Sequence, residues 1–156
     1  MKTPSPKTIR LQDYKAPAHL VSTVDLHFEL GDEFTEVTSR LNLHRNPAGP
    51  EAPIELDGEK LELRSVRLNG KFLSPGEYTV TETSLSIPHP PHGELNLEIV
   101  TRIKPQENLT LEGLYNSGGM FCTQCEAQRF RRITYYPDRP DVTAVFTTTI
   151  VADKAR

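Results

Sequence analysis

The chain has 156 residues, a formal net charge of -3 at pH 7 and a pI near 6.0. This length matches a single domain spanning residues 1–156, and the charge argues against a surface that attracts phosphate backbones or anionic lipid. No apolar run is long enough for a signal peptide or a spanning helix. We therefore expect a cytoplasmic protein with neither a nucleic-acid nor a membrane partner.

Apolar and polar residues alternate with a period of two through the first half of the chain, which predicts strands with one face on a core. The predicted rows are 24–30, 37–43, 54–56 and 61–68. In the second row Ser39 takes an inward position. In the fourth row the inward positions slip by one at Ser65, which predicts a bulge. Asn69 and Gly70 then predict a hairpin turn.

The alternation continues between Pro-rich and Gly-rich turns in the second half. Its rows are 78–80, 85–87, 95–103 and, near the end, 146–150. Strands this short and closely spaced predict an all-β fold, either a curved antiparallel or mixed sheet or a β-sandwich, with short helical turns at most. Nothing after the last row would cover it, so we expect this sequence to be a truncated part of a longer protein.

The segment 111–141 differs from the rest because it is dense in Gly, amides, charges and aromatics. That composition is more typical of a working surface than of a pair of strands. Arg129, Arg131 and Arg132 lie near Tyr135 and Tyr136, a combination found on some nucleic-acid surfaces. Acidic residues in the same stretch favour local ion pairs that hold the loop instead. Those acidic residues are Glu126, Asp138 and Asp141.

Cys122 and Cys125 have the C-x-x-C spacing of dithiol redox sites and of half a zinc site. Zinc needs further ligands, and the other close ligand pair, His89 and His92, lies in a proline-rich loop where solvated side chains are expected. A redox motif belongs in a βαβ setting, which the pattern does not offer. We therefore favour two packing thiols, with metal binding and redox chemistry as the alternatives.

Gln124 and Glu126 are the candidate binding residues. In an extended segment residues i and i+2 leave the same face, so a carboxamide and a carboxylate could converge on one ligand. An ionised carboxylate only accepts hydrogen bonds, and a suitable small partner is a cation with several donors, such as an ammonium. On spacing alone, an ion pair between Glu126 and a nearby arginine is favoured. No nucleophile, phosphate-loop or H-E-x-x-H motif is present.

The run from Cys122 to Lys154 is CTQCEAQRFRRITYYPDRPDVTAVFTTTIVADK. It closely resembles the end of the N-terminal domain in the bacterial aminopeptidase N branch of the gluzincin zinc aminopeptidases. Two earlier stretches are similar to the same family. They are LEGLYNSGG at 111–119 and DYKAPAHLVSTVDLHFEL at 13–30. Gln128 and Arg129 depart from the small and acidic residues expected at those positions.

The resemblance implies a large multidomain enzyme in which this β-rich domain caps a catalytic domain that holds the H-E-x-x-H zinc site. It also implies that Gln124 and Glu126 line the first substrate subsite. Glu126, with a second glutamate from a G-x-M-E-N loop of the catalytic domain, would bind the α-ammonium of the peptide. This replaces the ion-pair reading of Glu126.

The implied partners are the catalytic and C-terminal domains of the same protein, together with peptide substrates. We expect no catalytic residue and no bound zinc in this chain. Apolar surface left open for docking could cause self-association in solution. The alternatives are a stand-alone β-sandwich adaptor whose loop binds a protein partner, and a small zinc or redox module built on the C-x-x-C pair.

Overall fold

The computed structural model of the chain describes residues 10–153. Within these residues the fold is all-β, as predicted, and helical structure is limited to three single 3-10 turns. The turns are Leu11–Asp13, Pro105–Glu107 and Phe130–Arg132. The strands are β1 (His19–Leu30), β2 (Thr35–Arg45), β3 (Ile54–Asp57), β4 (Glu62–Leu68), β5 (Lys71–Phe72), β6 (Thr79–Val80), β7 (Ser84–Ile87), β8 (Glu94–Ile103), β9 (Gly113–Ser117), β10 (Met120–Gln124) and β11 (Val145–Val151). No helix in this part of the chain is long and apolar enough to cross a membrane.

The largest sheet has six strands in the order β11-β1-β2-β8-β4-β5. All neighbours in it are antiparallel except β1 and β11, which run parallel, so the sheet is mixed. A second sheet has three antiparallel strands in the order β3-β7-β6. Inward side chains of both sheets form one buried cluster, as in a β-sandwich.

The central strands β2 and β8 bury every second side chain, which is the pattern predicted from the sequence. Ser39 lies inward and fully buried, as predicted. The register between β4 and β8 shifts between Leu63 and Ser65, so the predicted bulge is also confirmed. Asn69 and Gly70 have positive φ and connect β4 to β5 as a hairpin.

The segment 111–141 contains a strand pair, so the composition that disfavoured a pair of strands there was misleading. Strands β9 and β10 form a separate two-stranded antiparallel sheet. Gly118 and Gly119 connect them with φ values of 59° and 90°, a conformation that glycine adopts without a steric penalty. The alternation was hard to read because both faces of β10 are open or only partly covered, so no inward row of apolar residues is required.

Strand β11 lies at the edge of the large sheet and is exposed along its whole length. Its apolar side chains are among the most exposed of the chain. They are Val145, Phe146, Ile150 and Val151. Phe146 also contacts Phe130 and Tyr136 edge-on or at a tilt, with ring centroids 5.7 and 6.0 Å away. The edge strand is therefore tied to the segment that precedes it.

Candidate functional site

The candidate residues lie where β10 ends. Gln124 is the last residue of the strand and faces Gly113 of β9 across the pair. Glu126 lies two residues further on, in a turn over residues 126–129. The extended conformation assumed from the sequence therefore holds as far as Gln124 and fails at Glu126. Gln124 and Glu126 still lie close together, but they are brought together by the turn and not by their spacing along an extended strand.

The turn itself is held by short-range hydrogen bonds. The backbone N–H of Glu126 donates to Oε1 of Gln124 at 3.2 Å, and the N–H of Arg129 donates to the carbonyl of Cys125 at 3.0 Å. Gln128 has a φ of 62°, in the left-handed region. The Gln124 side chain is thus oriented toward the backbone of the residue that carries the carboxylate. Both side chains are exposed in this chain.

The Glu126 carboxylate forms no ion pair with any residue in the range 10–153. The other acidic side chains of the segment are all paired with arginine. Glu112 pairs with Arg129 and Arg132, Asp138 with Arg131, and Asp141 with Arg139. The pairing of Glu126 with an arginine, favoured on spacing alone, is therefore wrong, because those arginines lie against other carboxylates.

The arginines of the segment hold the loop through local ion pairs, as the sequence suggested, and two of them also reach carboxylates outside the segment. Arg131 donates from Nε to Asp138 at 3.0 Å and lies 3.4 Å from Asp57 of β3. Its backbone N–H also reaches Asp138 at 3.1 Å. Arg132 pairs with Glu59 at 3.3 Å. These contacts fasten the segment to the three-stranded sheet, and they leave little free positive charge for a nucleic acid.

The cysteines are half-buried free thiols. Burial raises the pKa of the Cys125 thiol, and the negative charge of Asp138 raises it further. A redox-active cysteine needs the opposite shift, because the thiolate is the nucleophile. Among residues 10–153 no group of three or more His, Cys, Asp or Glu side chains could hold a metal ion. Cys122 and Cys125 therefore lack, within the described residues, the further ligands that a zinc site needs.

Sequence reasoning missed Glu112 and Asp57. Glu112 lies 2.6 Å from Nε of Arg129 and 3.2 Å from Nη1 of Arg132, and it directly precedes the strand that pairs with Gln124. Asp57 accepts the backbone N–H of Asp138 at 3.0 Å. No periodic pattern points to either residue, because the partners are separated in sequence and meet only after the sheets have assembled.

Comparison with known proteins agrees with this architecture. Residues 21–156 match the model of the Peptidase M1 N-terminal domain. Aminopeptidase N of Caulobacter vibrioides is 41% identical over 153 residues, which cover 98% of this chain and 18% of that protein. The chain thus spans less than a fifth of this relative.

Two solved structures have the same fold. The aminopeptidase A of Legionella pneumophila, solved in complex with aspartic acid, superposes with a TM-score of 0.87 at 33% identity. The match covers 94% of this chain and 17% of that one. The M1 zinc metallopeptidase of Deinococcus radiodurans superposes with a TM-score of 0.71 at 19% identity, over 87% of this chain and 33% of that one. The second match shows the fold alone. The match of residues 21–156 to the family model shows that the chain belongs to the Peptidase M1 N-terminal domain family.

Proposed function

We propose that this chain is the N-terminal domain of a zinc aminopeptidase that removes N-terminal amino acids from peptides, and that Gln124 and Glu126 bind the free α-ammonium of the substrate. One observation supports this assignment above the others. Of the acidic side chains in 111–142, Glu126 alone makes no ion pair within the described residues.

The chemistry of the two side chains suits an ammonium. Three N–H donors of an ammonium need three acceptors, and a carboxylate offers acceptors only. The Gln124 Oε1 atom uses one lone pair for the backbone N–H of Glu126 and keeps a second for a ligand. An exopeptidase must recognise the end of a chain, and the charge of the α-ammonium is what marks that end. An N-acetylated peptide lacks the charge and would be refused.

A carboxylate open to water holds a cation weakly, because solvent screens the attraction. We therefore propose that a catalytic domain covers Glu126 and adds the second glutamate implied by the family resemblance. The exposed apolar side chains along β11 support such docking, since an exposed apolar patch often marks an interface. The same surface accounts for self-association if this chain is prepared alone.

The zinc would be held outside this chain, where it would activate the attacking water. The described residues offer no ligand set for it, as noted above. The role proposed for this chain is limited to substrate anchoring, so no catalytic residue is assigned to it. Its contribution is to orient the peptide and so raise the effective concentration of the scissile bond at the metal.

The proposal is tested by replacing Glu126 in the full-length protein with alanine and with glutamine. Charge-assisted hydrogen bonds contribute enough that we expect kcat/KM on an amino-acid arylamide to fall about 10- to 100-fold. The glutamine variant keeps the shape and removes the charge, so it isolates the electrostatic part. Zinc content and the melting temperature should stay at wild-type values.

Glu82 supplies the matched control, because it is an exposed glutamate in a turn of this same chain. Glu82→Ala should leave kcat and KM unchanged. An N-acetylated arylamide should be hydrolysed by none of the proteins. Unchanged kcat and KM in both Glu126 variants would refute the role of Glu126 in binding the α-ammonium.

A further inference from the structure

The turn that carries Glu126 is fixed at both of its ends. At its start, Gln124 pairs with Gly113 across the β9–β10 ladder. At its end, Nε of Arg129 lies 2.6 Å from Glu112, the residue immediately before Gly113. The strand β9 and the residue before it therefore hold the turn on two sides. A turn closed in this way has few conformations left for Glu126.

Glu112 is itself held by a second arginine. Its other carboxylate oxygen lies 3.2 Å from Nη1 of Arg132, whose side chain is 13% exposed. Arg132 also pairs with Glu59 at 3.3 Å and donates to Oγ1 of Thr110 at 2.6 Å. A Cβ on Gly113 would lie 2.8 Å from Cβ of Arg132, so the two segments pack in close contact there. Arg132 thus fixes Glu112 relative to the rest of the domain.

Arg129 has fewer partners than Arg132. Its guanidinium contacts Glu112 and, at 3.4 Å, the carbonyl of Gln128. Its backbone N–H closes the turn by donating to Cys125 at 3.0 Å. The side chain is 38% exposed, so its removal leaves no buried cavity in the core. Its contact with Glu112 links the turn to Arg132.

We propose that Arg129 and Glu112 are positioning residues for α-ammonium binding, because their ion pair holds the turn that places the Glu126 carboxylate. This inference rests on the proposed function. Without the ion pair between Arg129 and Glu112, called the bridge below, the turn must become ordered when the substrate binds. The free-energy cost of that ordering weakens substrate binding. The chemical step is unaffected, because neither side chain touches the reacting bond. The bridge therefore acts on KM and leaves kcat unchanged.

The test uses the full-length protein with the variants Arg129→Ala, Arg129→Lys and Glu112→Gln. We expect Arg129→Ala and Glu112→Gln to raise KM for an amino-acid arylamide about fivefold to tenfold, with kcat within about twofold of wild type. Arg129→Lys retains the charge and should recover part of the loss. Arg40→Ala is the matched control, because it removes the 2.8 Å ion pair with Glu98 on the large sheet. It should leave both constants unchanged.

A double mutant separates positioning from a general loss of stability. If the bridge acts through the Glu126 carboxylate, adding Arg129→Ala to Glu126→Gln should raise KM no further. Additive effects, or a fall in kcat matching the loss in kcat/KM, would overturn the inference. If Glu126→Gln raises KM and Arg129→Ala does not, the positioning role alone fails. If Glu126→Gln has no effect, the proposed function itself fails.

Discussion

The central strands and the hairpin that carries the candidate site are built on different interactions. Strands β2 and β8 bury alternate apolar side chains, several of them completely. In the hairpin and turn over 113–129, Leu114 is the one buried apolar side chain among the described residues, with 7% of its surface exposed. Ion pairs and hydrogen bonds set the position of the turn. Stability is thus concentrated in the sheets, while the binding groups lie on a segment held mainly by polar contacts.

A cavity in the large sheet is expected to have the largest effect on stability. Leu41 is completely buried at the centre of β2. Leu41→Ala should lower the free energy of unfolding of the 156-residue chain by about 2–5 kcal/mol, measured by urea denaturation. Met120→Ala is the matched change in the hairpin, where the side chain is 65% exposed, and it should stay within about 0.5 kcal/mol of wild type. Equal losses would contradict the division between sheet and hairpin.

A second prediction concerns the polar contacts behind the site. Arg131→Ala leaves the carboxylates of Asp138 and Asp57 without their cation, and Asp138 is largely buried. The free energy of unfolding should fall by about 3 kcal/mol in a urea titration. Arg40→Ala removes a more exposed pair and should cost at most about 1 kcal/mol. A loss for Arg131→Ala no larger than for Arg40→Ala would mean that apolar burial alone holds the segment.

A third prediction concerns the buried Tyr136, whose ring contacts those of Phe130 and Phe146 in a cluster of three. Burial, helped by the charge of Asp138, raises its pKa to about 12. The folded state then keeps a proton that the unfolded chain loses near pH 10, so stability should decrease as the pH rises from about 10 to about 12. Tyr136→Phe should flatten that decrease in alkaline denaturation curves. An unchanged fall of stability with pH in this variant would show that burial does not raise the pKa of the Tyr136 hydroxyl.

The smallest change in stability is expected for the contact between Asp141 and Tyr14, which are far apart in sequence. Asp141 accepts hydrogen bonds from Arg139 and from the Tyr14 hydroxyl. The bond from Arg139 lowers the pKa of Asp141, although partial burial opposes the shift. The ionised Asp141 carboxylate therefore contributes to stability at pH values above its unfolded pKa, near 3.9. That stability is lost as the pH falls through the lower pKa of the folded state.

The Asp141→Asn variant should therefore unfold slightly earlier than wild type at pH 5 and no earlier at the acid end of the titration. Thermal melts across that range provide the measurement. Asp25→Asn, at an exposed position of β1, is the control and should follow wild type throughout. A constant gap between Asp141→Asn and wild type at every pH would show that the carboxylate charge is not responsible.

The sequence was sufficient for the central strands β2 and β8 because burial leaves a period of two along them. It revealed the inward Ser39 and the bulge at Ser65, since each changes that period locally. It failed for β9 and β10, whose side chains are too exposed to need an apolar row. It also failed for the partners of the arginines. Arg129 pairs with Glu112 and not with a residue of its own turn, because the two residues come together only when β9 and β10 pair.

The parallel pairing of β1 with β11 has a consequence for the order in which the protein is made. Thr23 lies beside Val145 and Glu29 beside Val151, so one flank of β1 is completed by β11, a strand far along the chain. Its other flank pairs with β2 across a short connection and can form at once. During synthesis one edge of the first hairpin therefore has no strand partner until residues 145–151 have left the ribosome. Contacts so distant in sequence also slow the final folding step.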